Sequence, residues 1–480
     1  MADAHEATGV PGSPYRGVSF WLDALAESGA DDLAPRPSLD RDLDADVCVI
    51  GGGLTGLWSA YYLQALRPEL SIVVVEREIA GFGASGRNGG WCSALFPQSG
   101  AALERRHGLD AAVAMRRAMI DTVDEVGRVA DAEGIDCDYV RGGTVVFARG
   151  GAQAQSARAD VAEAARLGTD PVELWEGERL ERFGVTGLTG GSAEAATFDP
   201  SCARVQPAKL VRGLARVVED RGARIAERTE VVDWSPGQVR FRAADGASGT
   251  VRAKHVLVAT EGYGAGLPHV GRRILPLYSL MIATEPLSAA VWDEIGIAHG
   301  ETFSDYRHLL VYGQRTADDR IAFGGRGARY HWGSAVRPEF DRDARVFAHL
   351  AETLADLIPA AADARITHRW GGPLGVPRDW HASVSYNPAN GVGFAGGYVG
   401  DGLSTTNLAG RTLADLVLGR ETDLTRLPWV GHRSPRWEPE PLRFVGANLG
   451  LTGIGLGDVE ERLTGRPSVA AKLLGPLIGA

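Results

Sequence analysis

The chain has 480 residues, of which 44% are hydrophobic and 23% are charged, and its formal net charge is -11. A chain of this length is expected to form two joined domains, and its composition is that of a folded protein rather than a disordered one. The negative charge gives no general attraction for phosphate backbones or anionic lipid, so nucleic acid is not an expected partner.

The cysteines and the apolar segments of the sequence indicate the cellular compartment in which the protein is expected. Cys48, Cys92, Cys137 and Cys202 are far apart and form no CxxC pair, which is typical of a reducing cytoplasm and predicts no metal site. The start of the chain lacks the apolar core of a signal peptide, and no segment approaches the roughly 20 apolar residues of a membrane helix. We therefore expect a cytoplasmic protein without stable membrane insertion. The oligomeric state stays open.

The first glycine-rich segment lies between a predicted strand and a predicted helix. Residues 47–50 have the pattern of a buried strand, and Gly51, Gly53 and Gly56 follow at GxGxxG spacing. Glycines at this spacing permit a tight turn, a close approach of the backbone to a pyrophosphate, and close packing of helix on strand. The phosphates then lie at the positive end of the helix.

A carboxylate ends the second predicted strand, SIVVVE. Glu76 lies twenty residues after Gly56, where a carboxylate accepts hydrogen bonds from the hydroxyl groups of a ribose. A purely structural Glu76 is the alternative. The segment predicts that a dinucleotide binds at Gly51, Gly53, Leu54, Thr55, Gly56, Glu76 and Arg77.

The next loop, GFGASGRNGG at residues 81–90, distinguishes FAD from NAD. In a nicotinamide dehydrogenase an amphipathic helix would normally follow the second strand. Here glycines alternate with a hydroxyl, a guanidinium and an amide, which suits the long polar linker of FAD. The predicted contacts are Gly83, Ala84, Ser85, Arg87, Asn88, Gly89 and Gly90. Arg87 is expected to pair with a phosphate or with a carboxylate that fixes the loop. A surface loop and a NAD-dependent dehydrogenase are the alternatives.

These segments together resemble a known family. GGGLTG, a strand ending in Glu, and GASGRNGG are similar to the FAD-dependent amine and amino-acid oxidoreductases of the D-amino-acid oxidase superfamily, which includes glycine oxidase and sarcosine oxidase. Within it, the likeness is closest to γ-glutamylputrescine oxidoreductase and its relatives. The resemblance covers residues 19–445 and leaves the substrate open.

The resemblance implies further cofactor contacts in separated segments. Val231 would contact the adenine through its backbone, and Ala259, Thr260 and Gly262 would form a turn over the phosphates. Glu261 makes that turn one residue looser than usual. Trp370 and Gly372 match a turn close to the flavin, where sarcosine-oxidase-like members carry a cysteine that bonds the flavin. This chain has glycine there, so non-covalent FAD is expected.

The last glycine-rich segment, after a predicted strand over residues 392–395, precedes a helix that begins near Leu403. A helix N-terminus aimed at the flavin would stabilise negative charge on the reduced ring. The predicted contacts are Gly397, Gly400, Gly402, Leu403 and Ser404. Asp401 would oppose reduction, so we expect it to point away and cap the helix.

The order of elements predicts an α/β fold with a discontinuous Rossmann-like FAD-binding domain of the glutathione-reductase type. This domain comprises residues 40–100, 196–265 and 366–430, and an α+β substrate domain with a mixed or antiparallel sheet comprises 101–195 and 266–365. Residues 1–39 form an N-terminal extension. Residues 431–480 form a C-terminal tail whose apolar end is interpreted as a docking segment.

A hairpin in the substrate domain supplies candidate catalytic residues. By the two-residue period of strands, Leu309, Val311, Ile321 and Phe323 face one side, while His308, Tyr312 and Arg326 face the other. In the family this sheet covers the flavin, so the second side is interpreted as a substrate pocket. A solvated sheet face is the alternative.

The expected activity follows from the resemblance. Flavin would accept a hydride from the carbon next to the nitrogen of an amine or amino acid, and the imine would hydrolyse to a carbonyl. Tyr312 and His308 are candidates to orient or deprotonate the ammonium. Arg326 would hold a substrate carboxylate or assist reoxidation by O2 or another acceptor. The alternatives are a hydroxy-acid oxidoreductase, a flavoprotein without catalysis of its own, and a NAD-dependent dehydrogenase.

Overall fold

The computed structural model of the protein describes residues 13–169 and 172–478. Its strands are β1 (Leu43–Ile50), β2 (Ile72–Val75), β3 (Trp91–Ser93), β4 (Thr144–Ala148), β5 (Glu173–Trp175), β6 (Ala195–Asp199), β7 (Cys202–Arg204), β8 (Arg224–Ala226), β9 (Thr229–Ser235), β10 (Gln238–Ala243), β11 (Ser248–Val258), β12 (Leu275–Thr284), β13 (Thr302–Asp305), β14 (Val311–Arg315), β15 (Ile321–Arg326), β16 (Ile366–Val376), β17 (Ser383–Asn387) and β18 (Val392–Gly396).

The helices connect the strands and cover the sheets. They are α1 (Phe20–Glu27), α2 (Leu54–Leu66), α3 (Gly100–His107), α4 (Leu109–Ala132), α5 (Gly151–Leu167), α6 (Pro207–Asp220), α7 (Ala289–Ile295), α8 (Ala344–Leu357), α9 (Gly402–Val417), α10 (Leu442–Thr464) and α11 (Val469–Ile478). In the described ranges, none of them is both long enough and apolar enough to cross a membrane.

The first sheet contains a parallel core. Its order is β17-β18-β11-β1-β2-β8, with β9 and β10 continuing from β11, and β1 pairs in parallel with both β2 and β11. Every residue of β2 is buried, as expected for a strand covered by helices on both faces. Since its strands come from three separated parts of the chain, the predicted discontinuous Rossmann-like domain is confirmed.

The second sheet is mostly antiparallel, with the order β16-β12-β15-β14-β13-β4-β6-β5. All ten residues of β12, which lies between β16 and β15, are buried. Val311, Ile321 and Phe323 lie in the apolar core beneath this sheet, as the two-residue period predicts. A mixed or antiparallel second sheet is thus confirmed.

Two elements pack across the predicted domain boundaries. β16 follows the boundary predicted at residues 365 and 366, yet it pairs with β12 of the second sheet. α4 lies in the range assigned to the substrate domain, but Met119 and Val123 on it belong to the apolar core around α2 and α9. Long-range pairing decides both features, and local sequence patterns do not encode it.

Candidate active site

A long cavity runs along the carboxyl ends of the parallel strands, where ligands of open α/β sheets bind. Its lining includes Thr229 and Val231 of β9, Leu374 of β16 and Gly402 at the start of α9. The predicted residues that line it are Gly51, Gly53, Leu54, Thr55, Glu76, Arg77, Gly83, Ala84, Ser85, Asn88, Val231, Ala259, Thr260, Gly400, Gly402 and Leu403.

The turn between β1 and α2 requires its glycines. Gly51 has a φ of +109°, and a Cβ there would lie 2.5 Å from the carbonyl oxygen of Ala259. The Cβ of a residue at position 56 would collide with the Gly51 carbonyl, so Gly56 packs the helix on the turn rather than lining the cavity. Gly53 precedes α2 without a capping side chain, which leaves the N-terminus of the helix open to the cavity.

Glu76 is held by the backbone of two loops. Its carboxylate accepts hydrogen bonds from the N–H groups of Gly52 at 2.8 Å and Glu78 at 2.9 Å. Burial raises the pKa of Glu76, against the lowering effect of these two hydrogen bonds. Each carboxylate oxygen has a second lone pair, so Glu76 retains acceptor capacity toward a ribose in the cavity.

Residues 81–90 form a short helical turn and a bend against the cavity. The N–H of Leu54 donates to Ser85 Oγ at 2.8 Å, which ties this loop to the start of α2. Asn88 donates to the carbonyls of Ala84 and Ser85, which closes the turn. The loop is ordered by internal contacts, unlike a solvated surface loop.

Arg87 holds this loop against the second sheet. Its guanidinium pairs with Asp341 at 2.6 Å and donates to the carbonyls of Phe82 and Gly371. Of the two predicted partners, the carboxylate is the one found, and Arg87 is absent from the cavity lining.

Five other residues that were predicted to contact the cofactor are also absent from the cavity lining and pack against neighbouring segments. Trp370 donates to the Arg87 carbonyl at 2.8 Å, and Gly372 lies against the Arg87 side chain. A Cβ at Gly89 would lie 2.5 Å from the Tyr312 ring, and one at Gly90 would collide with Gln314. Gly262 lies against Pro373. These close contacts position neighbouring segments.

Several features of the cavity fit FAD. Thr260 Oγ1 is buried beside the cavity without a hydrogen-bond partner among the described residues. The N-terminus of α2, the Glu76 carboxylate and the polar loop at Ser85 and Asn88 all line this one cavity. The cavity therefore offers backbone donors for a pyrophosphate, an acceptor for a ribose and a polar loop for the flavin linker.

Glu261 does more than loosen the turn after β11. It has a φ of +43°, and its buried carboxylate accepts hydrogen bonds from the N–H groups of Gly397 at 2.8 Å and Tyr398 at 3.1 Å. Burial raises the pKa of Glu261 to about 7. Gly397 is thus tied to Glu261 and packed on Pro377, rather than lining the cavity.

Asp401 precedes α9, but its side chain does not cap the helix. The prediction of a side-chain cap was wrong. Burial raises the pKa of Asp401 to about 6, and the Arg326 guanidinium opposes that rise. The carboxylate therefore lies near enough to Arg326 for an electrostatic interaction with it. Ser404 donates to the Ser93 carbonyl and is a packing contact.

Tyr312 and Arg326 meet on one face of the second sheet, as predicted. Tyr312 Oη lies 2.8 Å from Ser279 Oγ, and burial raises the pKa of its phenol. Arg326 donates to the Val399 carbonyl at 2.6 Å and lies over the Trp380 ring at 5.0 Å. A Cβ on Gly400, which lines the cavity, would lie 3.6 Å from the Arg326 guanidinium.

His308 is not brought to this face. It lies before β14, where its Nε2 is 2.9 Å from Glu461 on α10 and its backbone N–H donates to Asp458. The first strand of the hairpin, β14, begins at Val311, three residues after His308. His308 is thereby separated from Tyr312 and Arg326.

Sequence reasoning missed several parts of the site. Tyr263, Tyr398 and Glu261 line the cavity. The N-terminal extension holds the flavin loop, because Trp21 Nε1 donates to the Asn88 carbonyl and Ser19 Oγ to the Gly86 carbonyl, both at 2.7 Å. The aromatic FWL segment at the start of α1 was the available signal.

Comparisons with known proteins agree with this geometry. The family described as "FAD dependent oxidoreductase" matches residues 46–416. Gamma-glutamylputrescine oxidoreductase of Escherichia coli is 29% identical over 431 residues, covering 88% of this chain and 95% of that protein. The "Probable oxidoreductase OrdL" of Rhizobium meliloti is 30% identical over 401 residues, covering 82% and 87%.

Among solved structures, the fold is similar to glycine oxidase from Geobacillus kaustophilus. The TM-score is 0.66 at 22% identity, covering 81% of this chain and 99% of that one. The family resemblance, the fold class and FAD as the cofactor are confirmed. The interpretation as a NAD-dependent dehydrogenase was wrong.

Proposed function

The chain belongs to the FAD dependent oxidoreductase family, and from this premise we propose that it oxidises the C–N bond of a primary or secondary amine or an amino acid. The observation that carries this proposal is that Tyr312 and Arg326 share one face of the second sheet, where Arg326 lies beside Gly400 of the cavity lining. A phenol and a guanidinium there suit a substrate with an amine and a carboxylate. The names of the relatives, with a glutamylated polyamine and glycine, support the same class.

The chemistry that bound FAD would supply is acceptance of a hydride from the carbon that carries the nitrogen, which would leave an imine for water to hydrolyse to a carbonyl. The residues proposed to hold it are the GxGxxG turn, Glu76, the loop 81–90 and the N-terminus of α9. Their supporting role rests on the cavity lining and on the backbone contacts described above.

This chain's side chains bind and orient the substrate. Arg326 holds a substrate carboxylate through its planar fork of donors, while Val399 and Trp380 fix the guanidinium. Tyr312 orients the nitrogen and takes part in removing its proton, with Ser279 holding the phenol. Both residues are half-buried on the same face of the second sheet, which limits the access of water to the reacting carbon.

Attachment of FAD without a covalent bond is part of the proposal. The four cysteines are free and buried, and none lines the cavity. Free thiols also support a reducing cytoplasm as the location. Acid precipitation is expected to release yellow FAD into the supernatant, and colour retained in the pellet would contradict non-covalent binding.

Anaerobic titration of the purified yellow protein tests the reaction class. Amines and amino acids, presented as a panel that includes glutamylated diamines and N-substituted glycines, are expected to bleach the flavin absorbance. Bleaching by 2-hydroxy acids alone would favour a hydroxy-acid oxidoreductase. Bleaching by dithionite but by neither panel would favour a flavoprotein without substrate oxidation. Readmission of O2, with hydrogen peroxide measured, distinguishes an oxidase from an enzyme that uses another acceptor.

A further inference from the structure

Helix α10, which precedes the last helix, packs on the protein with its apolar side outward. The residues that it buries against the body are mostly small or paired: Arg443, Ala447, Gly450, Gly453, Gly457 and Glu461. Most of the side chains that it leaves exposed are large and apolar. Leu442 is 64% exposed, Leu456 54% and Leu463 81%. Helices of globular proteins normally bury the apolar stripe and expose the polar one.

The exposed side chains follow a heptad spacing. They recur at intervals of three and four residues along the whole helix, and we call this set the α10 seam: Leu442, Val445, Leu449, Thr452, Leu456, Val459 and Leu463. A stripe with this spacing is the geometry by which one helix packs along another. Nothing in the described ranges covers it. On α11, Val469 and Leu473 extend the same apolar surface, at 59% and 71% exposure.

The helix does not carry this surface for its own stability. α10 contains five glycines, Gly446, Gly450, Gly453, Gly455 and Gly457, and glycine is less favourable than alanine in the interior of a helix. A glycine-rich helix of 23 residues needs packing to persist. Leu451 packs on an apolar cluster of the body, but the four leucines of the seam are exposed and supply no such packing within the described chain. The seam therefore requires a partner.

We propose that the α10 seam is a dimer interface, in which α10 of a second copy of this chain packs antiparallel on it. The seam is self-complementary about a two-fold axis near residues 450 and 451. In an antiparallel pair with that axis, Leu442 meets Val459 of the second copy, Val445 meets Leu456, and Leu449 meets Thr452. The same contacts are repeated by symmetry, as an isologous interface requires.

Charge favours this partner over a lipid surface. Residues 444–457 contain no charged side chain, so no like charges face each other across the central layers. The charged residues at the end of the helix are mainly acidic, with Asp458, Glu460 and Glu461 against Arg462. Helices that bind membrane surfaces instead carry lysine and arginine along the polar face.

Light scattering during size-exclusion chromatography of the yellow protein tests the dimer. The expected mass is twice the 50.9 kDa of one chain. The double variant Leu449→Glu/Leu456→Glu should halve that mass, because it introduces two carboxylates per chain into the seam. Leu109→Glu is the matched control, since Leu109 is 43% exposed on α4. It should remain dimeric. FAD content and helicity by circular dichroism should match among all three proteins.

Disulfide cross-linking tests the orientation. The native cysteines are buried, so new thiols report on the seam alone. A mixture of Val445→Cys and Leu456→Cys proteins should give cross-linked dimers upon mild oxidation, whereas either variant alone should give few. Cross-linking of each variant with itself would indicate a parallel pair and overturn the proposed arrangement.

A monomeric wild-type protein at micromolar concentration, or a dimer that persists in the double variant, would overturn the proposal. So would flotation with neutral phosphatidylcholine vesicles that the double variant abolishes, because a lipid surface would then be the partner. These outcomes do not depend on the substrate or on the proposed oxidation reaction.

Discussion

The two ends of the cavity are built in different ways. At the end beside β1 and β2, Gly51, Gly53 and Glu76 lie within a single strand, turn, helix and strand of consecutive sequence. At the other end, Tyr312, Arg326 and Asp401 come from separate strands and a helix start. A cofactor that never changes can be bound by a fixed local motif. A substrate pocket assembled from distant side chains can change while the fold stays the same.

The largest effect is expected from Gly51→Ala, at the local end. The positive φ and the 2.5 Å approach to the Ala259 carbonyl leave no room for a Cβ. FAD affinity should fall more than about a hundredfold, and the holoprotein should lose on the order of 3 kcal/mol of stability.

Fluorescence titration of apoprotein with FAD measures this change. Gly266→Ala is the matched control. Gly266 lines the same cavity, but a Cβ added there would have no protein atom within 4 Å. Equal affinity of both variants would show that the turn does not limit cofactor binding.

Glu76→Ala is expected to weaken FAD binding roughly ten- to a hundredfold, since a charged hydrogen-bond partner contributes about 1.5 to 3 kcal/mol. The loss of the two backbone hydrogen bonds to Gly52 and Glu78 adds to the effect. Glu69 is exposed in the loop between α2 and β2. Glu69→Ala should therefore leave the dissociation constant for FAD unchanged. An unchanged constant for Glu76→Ala would assign the ribose to another group.

At the distant end, Arg326→Met should spare the cofactor and impair the substrate. The catalytic efficiency, kcat/KM, should fall by about tenfold or more through KM, because a charged donor to the carboxylate is lost. FAD affinity should change less than about threefold. His308→Gln is the matched comparison, because His308 pairs with Glu461 outside the cavity. If kcat/KM falls equally in the two variants, Arg326 does not bind the substrate carboxylate.

The last prediction concerns stability rather than binding, at the turn that holds Glu261. Burial raises the pKa of Glu261 from 4.5 to about 7, so the folded apoprotein holds this proton more tightly than the unfolded chain does. The contribution of Glu261 to stability is therefore greatest below pH 4.5, falls as the pH rises toward 7, and is constant above 7. Glu261→Gln removes this loss.

Urea unfolding of both apoproteins at pH 5 and pH 8 measures the difference. Between these values the wild type should lose on the order of 2 kcal/mol relative to Glu261→Gln. Asp401 is common to both proteins, so its titration cancels in the difference. Parallel pH profiles would mean that Glu261 titrates normally.

The sequence by itself determined the FAD-binding half. The buried strand pattern, the three glycines and Glu76 lie close together in the chain, and local sterics fix the turn that joins them. The loop 81–90 was likewise predicted as a flavin loop, although the partner of Arg87 was left open between a phosphate and a carboxylate.

Only the tertiary structure decided the remaining contacts. Asp341 lies 254 residues from Arg87, and Glu461 lies 153 residues from His308. Glu261 reaches the turn at Gly397 across 136 residues. Alternation along a strand predicts which side of the sheet a residue faces. β14 begins at Val311, so His308 lies outside the strand and the alternation does not apply to it. Pairing of distant segments depends on the packing of the whole chain, so a local motif cannot specify it.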